Sequence, residues 1–296
     1  MLDREFVHKL DRLQLIVPRP TSLREGQVRA RSSPAPQGFE VHGFRPYAWG
    51  EDLRHLDWNA YARTGELLVR VFRAERESAA YLLLDTSASM AVAHADNSVH
   101  NFACRLAAAL AYVCLRRNEP VALAALAASP PHCRISPRWR QRERALEACR
   151  FLEALSPRGR LDLTAAVASF LSHPLLPGTV LILSDFYYPP EESLRALAWL
   201  AARRLTVVAL HLLPSSHLSP PVPNGVLTVR DAETGEERTL QWDAASRTAY
   251  QQALERHLAA LRAGCHERGF YYARLDPEAG LETCVLGSLV QAGVLG

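Results

Sequence analysis

From residue 79 onward, continuous apolar runs alternate with longer amphipathic stretches. Residues 80–85, 121–127 (Val-Ala-Leu-Ala-Ala-Leu-Ala), 179–184 (Thr-Val-Leu-Ile-Leu-Ser) and 205–211 (Leu-Thr-Val-Val-Ala-Leu-His) carry apolar side chains at successive positions rather than alternate ones. A strand with that pattern is buried on both faces, as in a parallel sheet covered by helices. The stretches 98–117, 139–155, 163–172 and 191–203 read as those helices, and 132–136 as a short additional strand. The alternation predicts an α/β fold with a doubly wound, mostly parallel sheet over residues 78–213.

The flanks have a different rhythm. Leu2, Phe6, Leu10 and Leu13 recur at helical spacing and predict a short amphipathic helix within residues 1–15. Prolines and glycines then break regular structure until about residue 38, and 39–47 and 66–73 have strand-like content. After Pro214 the sequence predicts a hairpin over 226–242, a helix over 244–268, a strand near Phe270–Arg274 and a final helix over 279–291. The expected organisation is an N-terminal helix and β-rich extension (1–77), the central domain (78–213), and a C-terminal hairpin and helices packed on it (214–296).

Bulk composition narrows the function classes. Of the 296 residues, 48% are hydrophobic and 22% charged, with a net charge of +3. That balance gives no electrostatic case for nucleic acid or an anionic membrane. The longest apolar run, Leu106–Leu115, is about half the roughly 20 residues that a bilayer crossing needs. With no signal-peptide pattern at the N-terminus, the expectation is a cytoplasmic protein without membrane insertion. The six cysteines lack a C-x-x-C pair and read as buried, reduced thiols. His94 and His100 read as solvated loop histidines, and Arg138–Arg144 as a solvated helix face. No Gly-x-x-x-x-Gly-Lys motif is present, so the chain does not read as an ATPase.

The candidate chemistry lies at the ends of two strands. Asp85 closes the first apolar run and is followed at alternate positions by Ser87 and Ser89. Asp185 closes the 179–184 run. Ligands of open parallel sheets bind beyond the carboxyl ends of the strands, where these two acids would meet. Two carboxylates and two hydroxyls form a sparse set of hard oxygens suited to Mg2+ or Mn2+.

This pattern, Asp-x-Ser-x-Ser after a hydrophobic strand with a late Asp after another, resembles the metal-ion-dependent adhesion site of von Willebrand factor A domains. The resemblance implies that Ser87 and Ser89 touch the metal directly and that Asp85 and Asp185 act largely through water. It also implies an open coordination position that accepts a partner's carboxylate. The family takes a threonine from a middle loop, often Gly-Gly-Thr-Asp-Leu; here that stretch is Gly159-Arg160-Leu161-Asp162-Leu163. Leu161 stands in the threonine's place and cannot coordinate. Thr164 either substitutes for it or faces the helix start, and Asp162 either caps that helix or approaches the metal.

Residues 45–65 are dense in arginine, aspartate and tryptophan. Asp52, Arg54, Asp57 and Arg63 form a possible hydrogen-bonded ion-pair network, read either as a structural clamp or as a partner-binding surface. Arg45, Tyr47, Gly50, Asp52, Arg54, Asp57, Trp58, Ala62, Arg63 and Thr64 resemble the signature of the bacterial domain-of-unknown-function-58 family. Trp49 and Glu51 depart from it. The resemblance implies a von Willebrand A-like protein associated with MoxR-type AAA+ ATPases, acting as an adaptor in the assembly or maturation of client proteins. The functional expectation is a non-enzymatic binding module. Its rivals are a scaffold with a degenerate, metal-free site and a hydrolase or phosphotransferase with Asp85 as nucleophile. The last lacks a second acid at position 87, where Ser87 cannot serve as a general acid.

Overall fold

The computed structural model describes residues 4–17, 41–49, 53, 56–72, 78–94 and 97–296. The chain divides into two compact units, one formed by residues 22–77 and the other by 1–21 together with 78–296. The N-terminal helix α1 (Arg4–Leu10) thus belongs with the sheet, not with the extension that follows it. The reason is apolar burial: Phe6, Leu10 and Val17 join the core on one face of the sheet. The segment after α1 also pairs antiparallel with the C-terminal segment, Gln14 N–H donating to Gly296 O at 2.8 Å and Gly296 N–H to Gln14 O at 3.0 Å.

Among the described residues, six strands form the main sheet. In chain order they are β1 (Ala79–Asp85), β2 (Val121–Leu126), β3 (Cys133–Ile135), β4 (Gly178–Ser184), β5 (Leu205–Leu212) and, after the hairpin strands β6 (Gly225–Arg230) and β7 (Glu237–Trp242), β8 (Tyr271–Leu275). The spatial order is β8-β5-β4-β1-β2-β3. All neighbours are parallel except β3, which runs antiparallel to β2 at one edge. The expected doubly wound, mostly parallel sheet is therefore present. The strand near Phe270–Arg274 adds to it as the far edge, which hydrophobic pattern alone did not assign.

Helices cover both faces. On one lie α1, α2 (Val99–Arg116) and α3 (Ala145–Glu153); on the other lie α4 (Leu163–Leu171), α5 (Pro190–Ala202) and α6 (Ala244–Glu267). Strand β1 shows why its sequence is unbroken. Ala80, Leu82 and Leu84 enter the first core, whereas Ala79, Tyr81 and Leu83 enter the second, as the two-residue period of a strand dictates. Buried Tyr81 satisfies its hydroxyl on Leu176, accepting from N–H at 2.7 Å and donating to C=O at 3.2 Å. Its ring meets Phe170 of α4 edge-to-face at 5.6 Å. Phe170 is fully buried, so Phe170→Ala is expected to cost about 3–5 kcal/mol of unfolding free energy in a denaturant titration. A loss below about 1 kcal/mol would contradict this packing.

Two local expectations are corrected. The helix expected from residue 139 begins as α3 at Ala145, because Trp139 extends the sheet edge instead. Its N–H and C=O exchange bonds with Val121 at 2.9 and 2.8 Å, and its indole donates to Glu147 at 3.0 Å. The 138–144 stretch is thus not a uniformly solvated helix face. His100 is not a solvated loop residue either: it is buried in the first turn of α2, and burial lowers its pKa.

The 22–77 unit contains an antiparallel pair, Val41–Pro46 with Leu68–Phe72, and the helix Trp58–Thr64. Asp57 caps that helix, accepting from Asn59 N–H at 2.9 Å and Ala60 N–H at 3.0 Å. Gly65, at φ 73°, ends it, a left-handed position that favours glycine. The Arg63 guanidinium Nε–H donates to Asn59 O at 3.3 Å within the same helix. Asp52 and Arg54, the other members of the expected network, lie outside the described residues. No helix among the described residues is long and apolar enough to cross a membrane.

Candidate metal centre

The chain leaves β1 through α2 to reach β2 on one side, whereas β4 lies on the other side of β1. The connections therefore diverge between β1 and β4, and a crevice opens beyond their carboxyl ends. Asp85 is the last residue of β1 and Asp185 follows β4 directly. Both carboxylates are buried, Asp85 at 0% and Asp185 at 3% exposure. The structure thus brings together the two acids read from positions 100 residues apart.

Asp85 is held from three directions. Its Oδ1 accepts from Ser87 N–H at 2.8 Å. Its Oδ2 accepts from the Ser184 hydroxyl at 2.6 Å and the Tyr188 hydroxyl at 2.7 Å. The loop after β1 is fixed as well: Thr86 Oγ1 donates to Leu126 O at 2.6 Å, and Ala88 N–H donates to Gly159 O at 2.8 Å. This anchoring sets Ser87 and Ser89 side by side, their hydroxyl oxygens 2.9 Å apart. Ser89 and Asp185 both line the cleft above them, and the Ser89 hydroxyl acts to lower the Asp185 pKa.

A backbone turn after Asp185 builds the other wall. Phe186 has φ 48°, a left-handed conformation that costs an aromatic residue on the order of 1–3 kcal/mol. It is sustained by full burial of the ring, by Phe186 N–H donating to Ser184 Oγ at 3.0 Å, and by His257 Nε2 donating to Phe186 O at 2.9 Å. The turn directs Tyr188 back onto Asp85 and leaves Tyr187 at the rim. Neither the contact of Tyr188 with Asp85 nor that of Ser184 follows from the strand-end pattern of the sequence. A hydroxyl one residue before a strand-terminal aspartate was the available signal for Ser184.

The carboxylates repel one another in a poorly solvated space. Burial first, and then the charge of Asp85, push the Asp185 pKa up to about 7. Burial and the Asp85 charge also raise the pKa of Glu233. The same causes raise that of Tyr188, which keeps its proton and remains a donor to Asp85. Above these groups lies a cleft of about 610 Å³, lined by Asp162, Asp185, Glu192, Asp231 and Glu233 against one base, Arg160. Ser89, Leu161, Tyr187 and Tyr188 complete most of the remaining wall.

This donor set fits a small divalent cation: hard oxygens, excess negative charge and room for retained water. Among the described residues, no three His, Cys, Asp or Glu side chains converge as a metal cluster, so the protein oxygens would be two carboxylates and the serine hydroxyls. Leu161 is packed into the core of the second face. The Thr164 hydroxyl donates to Asp162 at 2.7 Å and is not part of the cleft wall. Asp162 caps α4 through Ala165 N–H at 2.9 Å, a bond that lowers its pKa and keeps it charged.

A family model described as "Protein of unknown function DUF58" matches residues 43–260. An uncharacterized protein of Mycobacterium tuberculosis is 31% identical over 225 residues, covering 75% of this chain and 69% of that one. Among solved structures, the chain is similar to the conserved hypothetical protein BatB from Bacteroides thetaiotaomicron, with 15% identity, a TM-score of 0.42 and coverage of 73% of this chain and 98% of that one. It is also similar to an aerotolerance-related membrane protein from Bacteroides fragilis, with 18% identity, a TM-score of 0.44 and coverage of 72% and 99%. Likeness at this level says nothing of what the chain binds.

Proposed function

The chain belongs to the DUF58 family of proteins of unknown function, and on that premise we propose that it is a non-enzymatic protein-binding module with a divalent-cation site. Asp85, Ser87, Ser89 and Asp185 are the residues that would hold Mg2+ or Mn2+. The bound ion would supply an open coordination position for an acidic side chain of a partner. The observation that carries this reading is the burial of Asp85 and Asp185 at one crevice, with the paired Ser87 and Ser89 hydroxyls beside them.

The chain's own residues have separable tasks. Ser184, Tyr188 and the Ser87 amide orient Asp85. Ser89, paired with Ser87, faces the same cleft as Asp185. The left-handed turn at Phe186 holds the aromatic wall closed on one side. A nucleophilic role for Asp85 is disfavoured, because both its oxygens are engaged and it has no exposed surface. The metal-free scaffold draws its support from Leu161, whose place in the apolar core leaves the middle loop without a coordinating hydroxyl.

The partner in this reading is a MoxR-type AAA+ ATPase, with the chain as an adaptor for client proteins in the cytoplasm. The immobilised chain is expected to capture such an ATPase in Mg2+, with capture lost in chelator and in Asp85→Ala. Equal capture under all three conditions would remove the cation from the interaction.

A further inference from the structure

A second pocket, of about 370 Å³, shares Tyr187 with the cleft above Asp185. Its remaining wall is His217, Tyr250, Ala253, Leu254 and His257. Resting on the cation site proposed above, we propose that this pocket receives a large apolar side chain, aromatic or branched aliphatic, from the same partner segment whose acid reaches the ion.

Three observations carry this. First, the polar tips around the pocket are engaged within the chain. The Tyr187 hydroxyl hydrogen-bonds His217 Nδ1, the Tyr250 hydroxyl donates to His217 O at 2.7 Å, and His257 Nε2 donates to Phe186 O at 2.9 Å. What remains to line the space is almost wholly apolar. A charged or strongly polar occupant would give up its water there without an equal replacement, whereas an apolar one gains from leaving water.

Second, the aromatic wall is exposed yet fixed in place. Tyr187 is 44% exposed, and its ring lies against that of His217 with centroids 5.9 Å apart. The preceding residue, Phe186, is tied to α6 through its carbonyl and His257. A tyrosine held in this way loses little freedom when a partner covers it, and tyrosine is among the residues enriched where partners gain most of their binding energy.

Third, the pocket is continuous with the cation site. Tyr187 lies two residues beyond Asp185 and forms part of both walls. An extended segment advances roughly 3.3–3.6 Å per residue, so an acid on the ion and an apolar side chain beyond Tyr187 belong to one short stretch of a partner. The two subsites then read different chemistry: the ion selects a carboxylate, and the pocket selects the side chain beside it.

The test uses the full chain and end-blocked glycine hexapeptides that carry one Asp and, at varied spacing from it, one Phe or one Ala. Affinities are measured in Mg2+, and the imidazole C–H signals of His217 and His257 are followed by nuclear magnetic resonance. The tightest Phe peptide is expected to bind at least about tenfold more tightly than its Ala counterpart, the gain from burying one large apolar side chain. It is also expected to shift the His217 and His257 signals, which the Ala peptide leaves in place. Ala253 is exposed on α6, and glutamine is a good helix former, so Ala253→Gln fills the pocket with an amide in a folded chain. That variant is expected to bind the Phe and Ala peptides equally. Binding that needs Mg2+ and the Asp but is the same for Phe and Ala in the wild type would overturn the pocket and leave the cation site intact. A preference for Phe that persists in chelator would instead overturn the cation reading, and the pairing of the two subsites with it. No binding of any peptide would overturn both.

Discussion

Asp85→Ala is expected to destabilise the cation-free chain by about 3 kcal/mol or more, although it removes a buried charge. The substitution orphans Ser87 N–H, the Ser184 hydroxyl and the Tyr188 hydroxyl, which now converge on the carboxylate. A buried donor left without a partner costs about 1–3 kcal/mol. Relief of the repulsion with Asp185 offsets part of that sum. Asp85→Asn separates the two effects. Its carbonyl oxygen can still accept from Ser87 N–H, and its amide can donate to the Ser184 and Tyr188 oxygens, which accept as readily as they donate. The asparagine variant is therefore expected to lose less stability than Asp85→Ala in denaturant titrations, because the Ser87 N–H keeps its acceptor and the side-chain volume is retained. If Asp85→Ala were as stable as Asp85→Asn, the three-donor account of this position would be wrong.

The second large effect is pH dependence in chelator. Asp185 has its pKa raised from 3.8 to about 7 in the folded chain. Between these values the folded state binds more protons than the unfolded state, so stability falls as pH rises. The contribution is fully present below about pH 4 and is lost as pH passes through about 7. Between about pH 5 and pH 8 the expected loss is on the order of 3 kcal/mol, at about 1.4 kcal/mol for each pH unit traversed below the folded pKa. Asp185→Asn is expected to remove this slope, and saturating Mg2+ to flatten it, because a cation favours the ionised form. A wild-type stability that changes with pH as the Asp185→Asn variant does would show that the two acids do not share a strained, poorly solvated space.

The parts of the fold that were legible share a physical cause. Strands β1, β4 and β5 are buried on both faces, so apolar side chains fill successive positions and the run is unmistakable. Asp85 and Asp185 stood out because a carboxylate ending such a run has no core to enter and must meet solvent, a ligand or a hydrogen-bond partner. What stayed hidden depends on long-range geometry. Tyr188 reaches Asp85 only because Phe186 adopts a left-handed conformation, which no local pattern announces at an aromatic residue. Trp139 reads as the start of a helix, yet its backbone bonds to Val121. Glu233 resembles any polar turn residue until the hairpin is seen over the cleft. Leu161 was informative in both settings: in sequence it broke an expected ligand pattern, and in the fold it fills apolar space instead.

These strands lead to one claim, that Asp85, Ser87, Ser89 and Asp185 form a divalent-cation site. Its most direct test is a Mn2+ titration of the wild type beside Asp85→Asn, with free ion read by electron paramagnetic resonance. The account predicts one saturable ion per wild-type chain, displaced by Mg2+, and none at the same concentrations on a variant that is folded as well as the wild type. Equal Mn2+ binding by the two proteins, or none by either, would contradict it.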